Sequence, residues 1–177
     1  KVFGNATSIK PLFDVDKTIS LSQSAFPQYS EVDSYKMAAC SINTAVKNLV
    51  VMGANLKKIA ILDNFCWCSS DDEGRLYELR KAAEACYDYA VTYKTPFISG
   101  KDSMYNDFKG FNQNDKPTKI SIPPTLLISS IGIVDNINHL TKITPEKDDV
   151  IYVLGETHNE LDKSQYESFF NVKKTNI

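Results

Sequence analysis

The sequence predicts an α/β protein, an α+β sandwich in which a mixed sheet carries helices on one face. Short apolar segments of strand length alternate with two amphipathic segments of helix length, in the order strand, helix, strand, helix, strand, strand. Hydrophobic residues make up 42% of the 177 residues and charged residues 24%, which indicates a folded globular chain. The net charge of −2 gives no electrostatic reason to bind nucleic acid or an anionic membrane. No apolar run approaches the roughly 20 residues that a membrane helix needs.

The first third of the chain predicts one edge strand, one helix and one buried strand. Residues Thr18–Ser22 alternate polar and apolar side chains, as an edge strand does. A helix capped by Asp33 or Ser34 runs to about Gly53, and its apolar residues follow the 3.6-residue period. The apolar run Lys58–Leu62 predicts a buried strand that ends in a polar pair.

The middle of the chain predicts a second helix followed by two strands. Acidic residues open this helix within Ser69–Glu73, where the helix dipole favours them. We expect its apolar stripe to face the core: Leu76, Leu79, Ala83, Cys86 and Ala90. Residues 96–99 predict a short strand and the polar residues 107–119 an exposed excursion. Ile122-Pro-Pro then introduces Thr125–Val134, an apolar run long enough for a central strand.

The polar segment Thr144–Asp149 predicts a domain boundary. Residues 1–149 would form one domain, and residues 150–177 would open a second, incomplete unit with a strand at Val150–Leu154. The chain begins with Lys, which favours a piece of a longer polypeptide. Four cysteines are too few for a disulfide framework, so we expect free thiols and a cytoplasmic location.

A strand-end segment beginning at Gly100 carries the most specific chemistry. Gly100 follows an apolar strand at the point where we expect a loop to begin, and glycine lets backbone N–H groups point at an anion. Lys101 adds a cation, Asp102 adds a carboxylate that could contact a metal ion bound to phosphate, and Ser103 adds a small hydrogen-bond donor. This combination suits a nucleotide phosphate or a phosphorylated metabolite, although a solvated turn explains the same residues.

A second polar strand end lies 37 residues earlier, at Asp63. One predicted helix separates Asp63 from Gly100, as in a strand–helix–strand unit, so both ends are expected side by side at one edge of the sheet. Ligand sites often form at such places. A turn cap is the alternative role for Asp63, and a solvated surface amide is the alternative for Asn48 on the first helix.

Five segments in this order resemble phosphoribosylformylglycinamidine synthase, the ATP-dependent amidotransferase of purine biosynthesis. They are Asp33–Ala39, Ala45–Val50, Leu62–Trp67, Thr95–Ser103 and Ile122–Ser129. The resemblance covers roughly residues 27–157. It implies the second of two AIR-synthetase-like N-terminal domains, whose sheet pairs with a pseudo-twofold mate into a β-barrel that holds nucleotide. Residues 150–177 would then open the AIR-synthetase-like C-terminal domain.

The resemblance also implies a reaction and its participants. The family converts formylglycinamide ribonucleotide, ATP and glutamine-derived ammonia into formylglycinamidine ribonucleotide, ADP and phosphate. The implied partners are the remaining synthase domains and a glutaminase domain or subunit. Magnesium is the expected companion of ATP, since it bridges phosphate oxygens. The catalytic histidines of the family lie in its other half, so the catalytic residues stay unknown here.

Carried over by position, the resemblance assigns five residues. Asp63 and Gly100 would contact ATP, and Ser103 would contact the ribonucleotide. Lys101 stands where some members place a magnesium-binding Asn; because an ammonium cannot ligate a metal, we expect it to meet phosphate. Asn48 matches a helix position that helps to hold a metal.

Two departures from the family favour other interpretations. Thr44 replaces the acidic residue expected four positions before Asn48, and Asp162-Lys163-Ser164 replaces an expected Gly-Gly-Ser. A non-catalytic module that holds a structural nucleotide, or only packs against its mate, therefore stays open. AIR synthetase, selenophosphate synthetase or thiamine-phosphate kinase are further alternatives, but they favour an Asp- and Gly-rich start that residues 1–33 lack.

Overall fold

The computed structural model describes residues 5–141, 144–158, 160–161 and 163–171. The chain divides into two compact units, residues 1–143 and 144–177. Several residues of the predicted second domain lie outside the described residues: 159, 162 and 172–177. They include Asp162, the first residue of the segment that replaces Gly-Gly-Ser. The assignment of 1–149 and 150–177 to two domains of the synthase stays a prediction.

The first unit contains a five-stranded mixed sheet in the order β1-β2-β7-β3-β4 and a separate hairpin, β5-β6. Only the β3–β4 pair in the five-stranded sheet is parallel, and α2 forms the crossover that joins these two strands. The elements are β1 (Ala6–Ile9), β2 (Thr18–Ser24), α1 (Ser34–Val51), β3 (Ile59–Cys66), α2 (Glu73–Tyr93), β4 (Phe97–Ser103), β5 (Asp107–Phe111), β6 (Pro117–Ser121) and β7 (Thr125–Val134). The predicted fold class is confirmed.

Helix α1 has the bounds that the sequence predicts. The Asp33 carboxylate accepts a hydrogen bond from the Lys36 N–H at 3.1 Å and caps the first turn. Gly53 follows the helix with φ of 94°, and its backbone faces the His139 carbonyl so closely that a side chain would collide. The helix buries one long face, with Met37, Ile42 and Leu49 fully inaccessible to solvent.

The sheet surface beneath α1 is built from small residues. Atoms of Leu49, Ala54 and Ile59 lie 3.1 Å from the position that a Gly132 side chain would occupy. The Ser130 hydroxyl donates to the Ala45 carbonyl of α1 at 3.0 Å. Helix and sheet therefore approach closely, and the buried hydroxyl keeps a partner.

Helix α2 packs against α1 through a face that includes only part of the predicted stripe. Its buried residues are Ala82, Ala85 and Cys86, whereas Leu76 is 51% exposed and Ala83 is also exposed. The predicted stripe is therefore confirmed at Cys86 and at Leu79 and Ala90, which are half-buried against the core, but wrong at Leu76 and Ala83. Both faces of α2 carry apolar residues, so only the contact with α1 decides which one is buried.

Three further expectations differ from the structure. Strand β2 is not at the edge, because the unpredicted strand β1 pairs with its outer side. The excursion 107–119 contains most of the β5-β6 hairpin. Residues Val150–Leu154 form no strand, and the second unit contains one short helix, α3 (Gln165–Phe170), among its described residues. Strand β7 is central, as predicted.

Within the described parts of the chain, every helix is too short or too polar to cross a lipid bilayer.

Truncating the core of α1 should be far more costly than truncating its surface. Ile42→Ala is expected to lower the free energy of unfolding by about 2–5 kcal/mol, because it removes a fully buried side chain and leaves a cavity. Val51→Ala in the same helix, at a residue 67% exposed, should change it by about 0.5 kcal/mol or less. Urea denaturation of the 177-residue chain measures both; equal losses would contradict this packing.

Candidate functional site

Strands β3 and β4 bring the two predicted strand ends together. In their parallel register Asp63 pairs with Gly100, Asn64 with Lys101, and Cys66 with Ser103. The expected proximity of Asp63 and Gly100 is confirmed. Both residues nevertheless lie inside strands, because β3 continues to Cys66 and β4 to Ser103.

Gly100 serves the site by its small size. A Cβ atom at Gly100 would lie 2.7 Å from Oδ1 and 2.9 Å from Oδ2 of Asp63. The carboxylate therefore occupies the space that any side chain at this position would need. The expectation that Gly100 opens a loop was wrong, and its φ angle is not in the left-handed region. A side chain at position 100 would require the Asp63 carboxylate to turn out of this space.

The alternation of the strands separates the predicted residues onto two faces of the sheet. Asp63 follows the buried Ile61 by two residues and lies on the helix-covered face, together with Gly100. Lys101 and Ser103 lie on the opposite face, where the Lys101 ammonium donates a hydrogen bond to the Ser103 hydroxyl. Because β4 is an edge strand, both faces adjoin the same free strand edge.

The Asp63 carboxylate is held in surroundings that disfavour its charge. Partial burial raises its pKa, and the negative charge of Asp102 adds to the rise. Hydrogen bonds from backbone N–H groups, including that of Lys101, oppose the shift. The thiol of Cys86 in α2 lies near the Asp63 carboxylate. Burial is the main cause that raises the pKa of this thiol to about 12, and the negative charge of Asp63 contributes to the rise. The thiol therefore stays protonated and is a poor nucleophile.

The end of β4 is fixed by hydrogen bonds to the segments that follow β3 and β4. The Ser103 carbonyl accepts the Trp67 N–H at 2.8 Å and the Asn106 side-chain amide at 2.6 Å. Trp67 is fully buried, as expected for a core aromatic, and its indole N–H donates to the Arg75 carbonyl at 3.0 Å. Ser103 is half-buried, and these bonds fix its backbone at the edge of the open face.

Asn48 does not join the other predicted residues. Its side-chain amide donates to the Ser22 hydroxyl of β2 at 3.1 Å, and β7 separates β2 from β3. Within the described residues, no group of three or more His, Cys, Asp and Glu side chains could hold a metal ion. The metal-binding role of Asn48 stays a prediction, with Thr44 in place of the expected carboxylate.

Sequence reasoning missed Asp107 at the start of the β5-β6 hairpin. This carboxylate is almost completely buried at the corner that follows Ser103. It stands in a run of polar residues, which predicts exposure, and only the pairing of β5 with β6 reveals its burial.

This architecture defines the class of protein. Residues 5–134, more than half of the chain, match the family model described as AIR synthase related protein, N-terminal domain. The chain belongs to this family.

The relatives are synthase subunits. Phosphoribosylformylglycinamidine synthase subunit PurL of a Nitratiruptor species is 27% identical over 154 residues, which cover 85% of this chain and 19% of the relative. The same subunit of Methanococcus aeolicus is 29% identical over 150 residues, with the same coverage of 85% and 19%. The chain thus spans about a fifth of the length of these relatives. The resemblance to this synthase family is confirmed.

Solved structures show the same fold. PurLQS from Thermotoga maritima superimposes with a TM-score of 0.63 at 23% identity, covering 80% of this chain and 21% of that chain. T. maritima PurL complexed with ATP gives a TM-score of 0.63 at 22% identity, covering 80% and 22%. T. maritima PurL complexed with FGAR gives 0.62 at 22% identity, covering 78% and 20%.

Replacing Gly100 should be harmful only while the Asp63 carboxylate is present. Gly100→Ala places a methyl group 2.7 Å from that carboxylate and should destabilise the fold, whereas in an Asp63→Ala background the same change should cost little. Urea denaturation of the four chains of this double-mutant cycle gives the coupling. Additive effects would show that the carboxylate does not occupy this space.

Neutralising Asp63 should stabilise the chain at pH 7. The pKa of Asp63 is raised in the folded state, so the fold carries the full penalty above that raised pKa. The penalty vanishes below the unfolded value of about 3.9, where both states are protonated. Asp63→Asn should therefore raise the urea midpoint at pH 7, and its advantage should shrink towards about pH 3.

The exposed Asp14→Asn is the matched control for this pH series and should change the midpoint little at either pH. A loss of stability in Asp63→Asn that does not depend on pH would contradict the electrostatic argument.

Proposed function

We propose that this chain is a nucleotide-binding domain of phosphoribosylformylglycinamidine synthase. In this proposal residues 1–149 form its second AIR-synthetase-like N-terminal domain, and 150–177 begin the following C-terminal domain. The synthase converts formylglycinamide ribonucleotide, ATP and glutamine-derived ammonia into formylglycinamidine ribonucleotide, ADP and phosphate. Because the chain spans about a fifth of its relatives, we expect it to be inactive alone. The observation that carries the proposal is the Asp63 carboxylate held against Gly100 on adjoining parallel strands.

The predicted site residues of β3 and β4 have distinct parts in this proposal. ATP, when bound, supplies the phosphoryl group that activates the amide oxygen of the substrate. Asp63 and Gly100 bind nucleotide on the helix-covered side of β4, with Asp102 on the same side. The Lys101 ammonium neutralises phosphate on the opposite face, next to Ser103, which binds the ribonucleotide. The support is geometric: the edge strand β4 carries Gly100 and Asp102 on one face and Lys101 and Ser103 on the other.

Magnesium is an expected companion of the nucleotide phosphates, but the described residues of this chain do not form a site for it alone. Mg²⁺ requires near-octahedral oxygen ligation. Asp63 and Asp102 influence each other electrostatically, while Asn48 lies over β2, two strands away. The remaining ligands would have to come from phosphates or from other domains, so no step here is assigned to the metal.

The uncovered face of the sheet supports pairing with a mate domain. No helix of the described first unit covers this face, and it carries half-buried and exposed aliphatic side chains. They include Ile9 at 51% exposure, Leu21 at 44% and Ile133 at 36%. An apolar sheet face of this kind is typical of an interface. We propose that it packs against the pseudo-twofold mate of this domain, within a cytoplasmic enzyme that also contains a glutaminase domain or subunit.

A structural nucleotide is the second candidate function, and Thr44 favours it because a carboxylate is missing next to Asn48. Equilibrium dialysis of the complete synthase with labelled Mg-ADP distinguishes the two. ADP that stays bound without exchange would favour the structural role. Exchange within seconds at a site that Asp63→Asn weakens would favour the catalytic role.

Two substitutions test the proposed site in the complete synthase. Asp63→Asn and Ser103→Ala should each lower kcat/KM by about tenfold or more, equivalent to about 1.4 kcal/mol of transition-state stabilisation. Asp63→Asn should raise the KM for ATP, and Ser103→Ala the KM for the ribonucleotide. Steady-state kinetics with circular dichroism as a folding check measures this. The exposed Asp14→Asn is the control, and wild-type kinetics in both site variants would overturn the assignment.

A further inference from the structure

We propose that Asp107 is a positioning residue for the ribonucleotide subsite, acting through Ser103. This inference rests on the proposed function, because it takes Ser103 as the group that contacts the ribonucleotide. The Asp107 carboxylate holds together the corner at which β4 ends and the β5-β6 hairpin begins. It thereby fixes the position of Ser103 at the edge of the sheet.

Asp107 is a buried charge with several partners. Its side chain is 2% exposed, and its Oδ2 atom accepts the Ser69 N–H at 3.1 Å and lies 3.4 Å from the Lys119 ammonium. Ser121 stands directly across the hairpin. Ser121 first, and Lys119 after it, favour the charged form and lower the pKa of Asp107, so the group is ionised. The contacts with Ser69 and Lys119 both fall on Oδ2, whereas Oδ1 is buried without a hydrogen-bond partner among the described residues, so the charge is only partly compensated. The contacts on Oδ2 join the hairpin to the segment that contains Ser69.

The partners of Asp107 belong to two separate segments. Ser69 lies in the connection between β3 and α2, whereas Lys119 and Ser121 lie in β6. The same connection begins at Trp67, whose backbone N–H donates to the Ser103 carbonyl at 2.8 Å. Asp107 therefore ties the hairpin to the segment that holds Ser103.

Asn106, the residue before Asp107, completes the link. Its N–H donates to the Trp67 carbonyl at 2.9 Å, and its side-chain amide donates to the Ser103 carbonyl at 2.6 Å. Any displacement of Asp107 moves Asn106 and, through these two bonds, the end of β4.

The corner itself has a backbone conformation that requires support. Tyr105 has φ of 58°, which is unfavourable for a bulky side chain and is often found at functional sites. Its hydroxyl donates to the Asp71 carboxylate at 3.0 Å, and its carbonyl accepts the Asp107 N–H at 2.7 Å. Without the contacts of Asp107, the backbone at Tyr105 can adopt a more favourable conformation, and the hydroxyl of Ser103 is then displaced.

Kinetics of the complete synthase test this role. Asp107→Asn and Asp107→Ala should raise the KM for formylglycinamide ribonucleotide, by about tenfold in the alanine variant, and leave the KM for ATP unchanged. Asp115→Asn, in the exposed turn of the same hairpin, should leave both values unchanged. A merely structural role would lower the fraction of folded enzyme, and hence apparent kcat, with both KM values unchanged; that result would overturn the proposal.

Two further variants keep the test decisive. In a Ser103→Ala background Asp107→Asn should cause no additional rise in the ribonucleotide KM, and an additive rise would refute action through Ser103. If the Asp107 variants do not fold, Lys119→Met at a half-exposed lysine loosens the same carboxylate. It should raise the ribonucleotide KM a few-fold, and an unchanged value counts against the proposal. If Ser103→Ala itself leaves the kinetics at wild type, the proposed function fails rather than this inference alone.

Discussion

The parallel pairing of β3 with β4 is the constraint on which the candidate site depends. Parallel strands need a crossover connection, and α2 provides it before the chain returns beside β3. The resulting register places the Asp63 carboxylate in the space that a side chain at position 100 would fill. A slip of one residue would turn the neighbours of Asp63 to the other face and fill this space. The location of the site is therefore a consequence of sheet pairing.

The two faces of the sheet differ in what they contact. The helix-covered face carries small residues, so α1 lies close to β2 and β7. The Ser130 hydroxyl can therefore donate a hydrogen bond to a backbone carbonyl of α1. The opposite face has no helix cover among the described residues of its unit and keeps its aliphatic side chains partly exposed. Since residues of β4 alternate between these faces, the nucleotide and ribonucleotide of the proposed function would approach one strand from two sides. This geometry suits a domain that completes its site together with a partner.

Two carboxylates show how the fold treats charge differently at neighbouring places. Burial and Asp102 raise the pKa of Asp63, so its ionised form is incompletely compensated within the chain. Ser121 and Lys119 lower the pKa of Asp107, although its Oδ1 atom is buried without a hydrogen-bond partner among the described residues. A carboxylate with a raised pKa, such as that of Asp63, is typical of a binding site, because a bound ligand can supply the stabilising contacts that the fold lacks. The ionised Asp107 instead joins two segments through the contacts of its Oδ2 atom.

The sequence by itself determined the family and the elements with local signals. The Asp33 cap fixes the start of α1, and the long apolar run of β7 predicts a central strand. Only the tertiary structure decided that Gly100 lies within a strand, that Ala82 rather than Ala83 is buried on α2, and that Asp107 is inaccessible. Caps and apolar runs act over a few residues, whereas these features depend on pairing and packing between segments far apart in the chain.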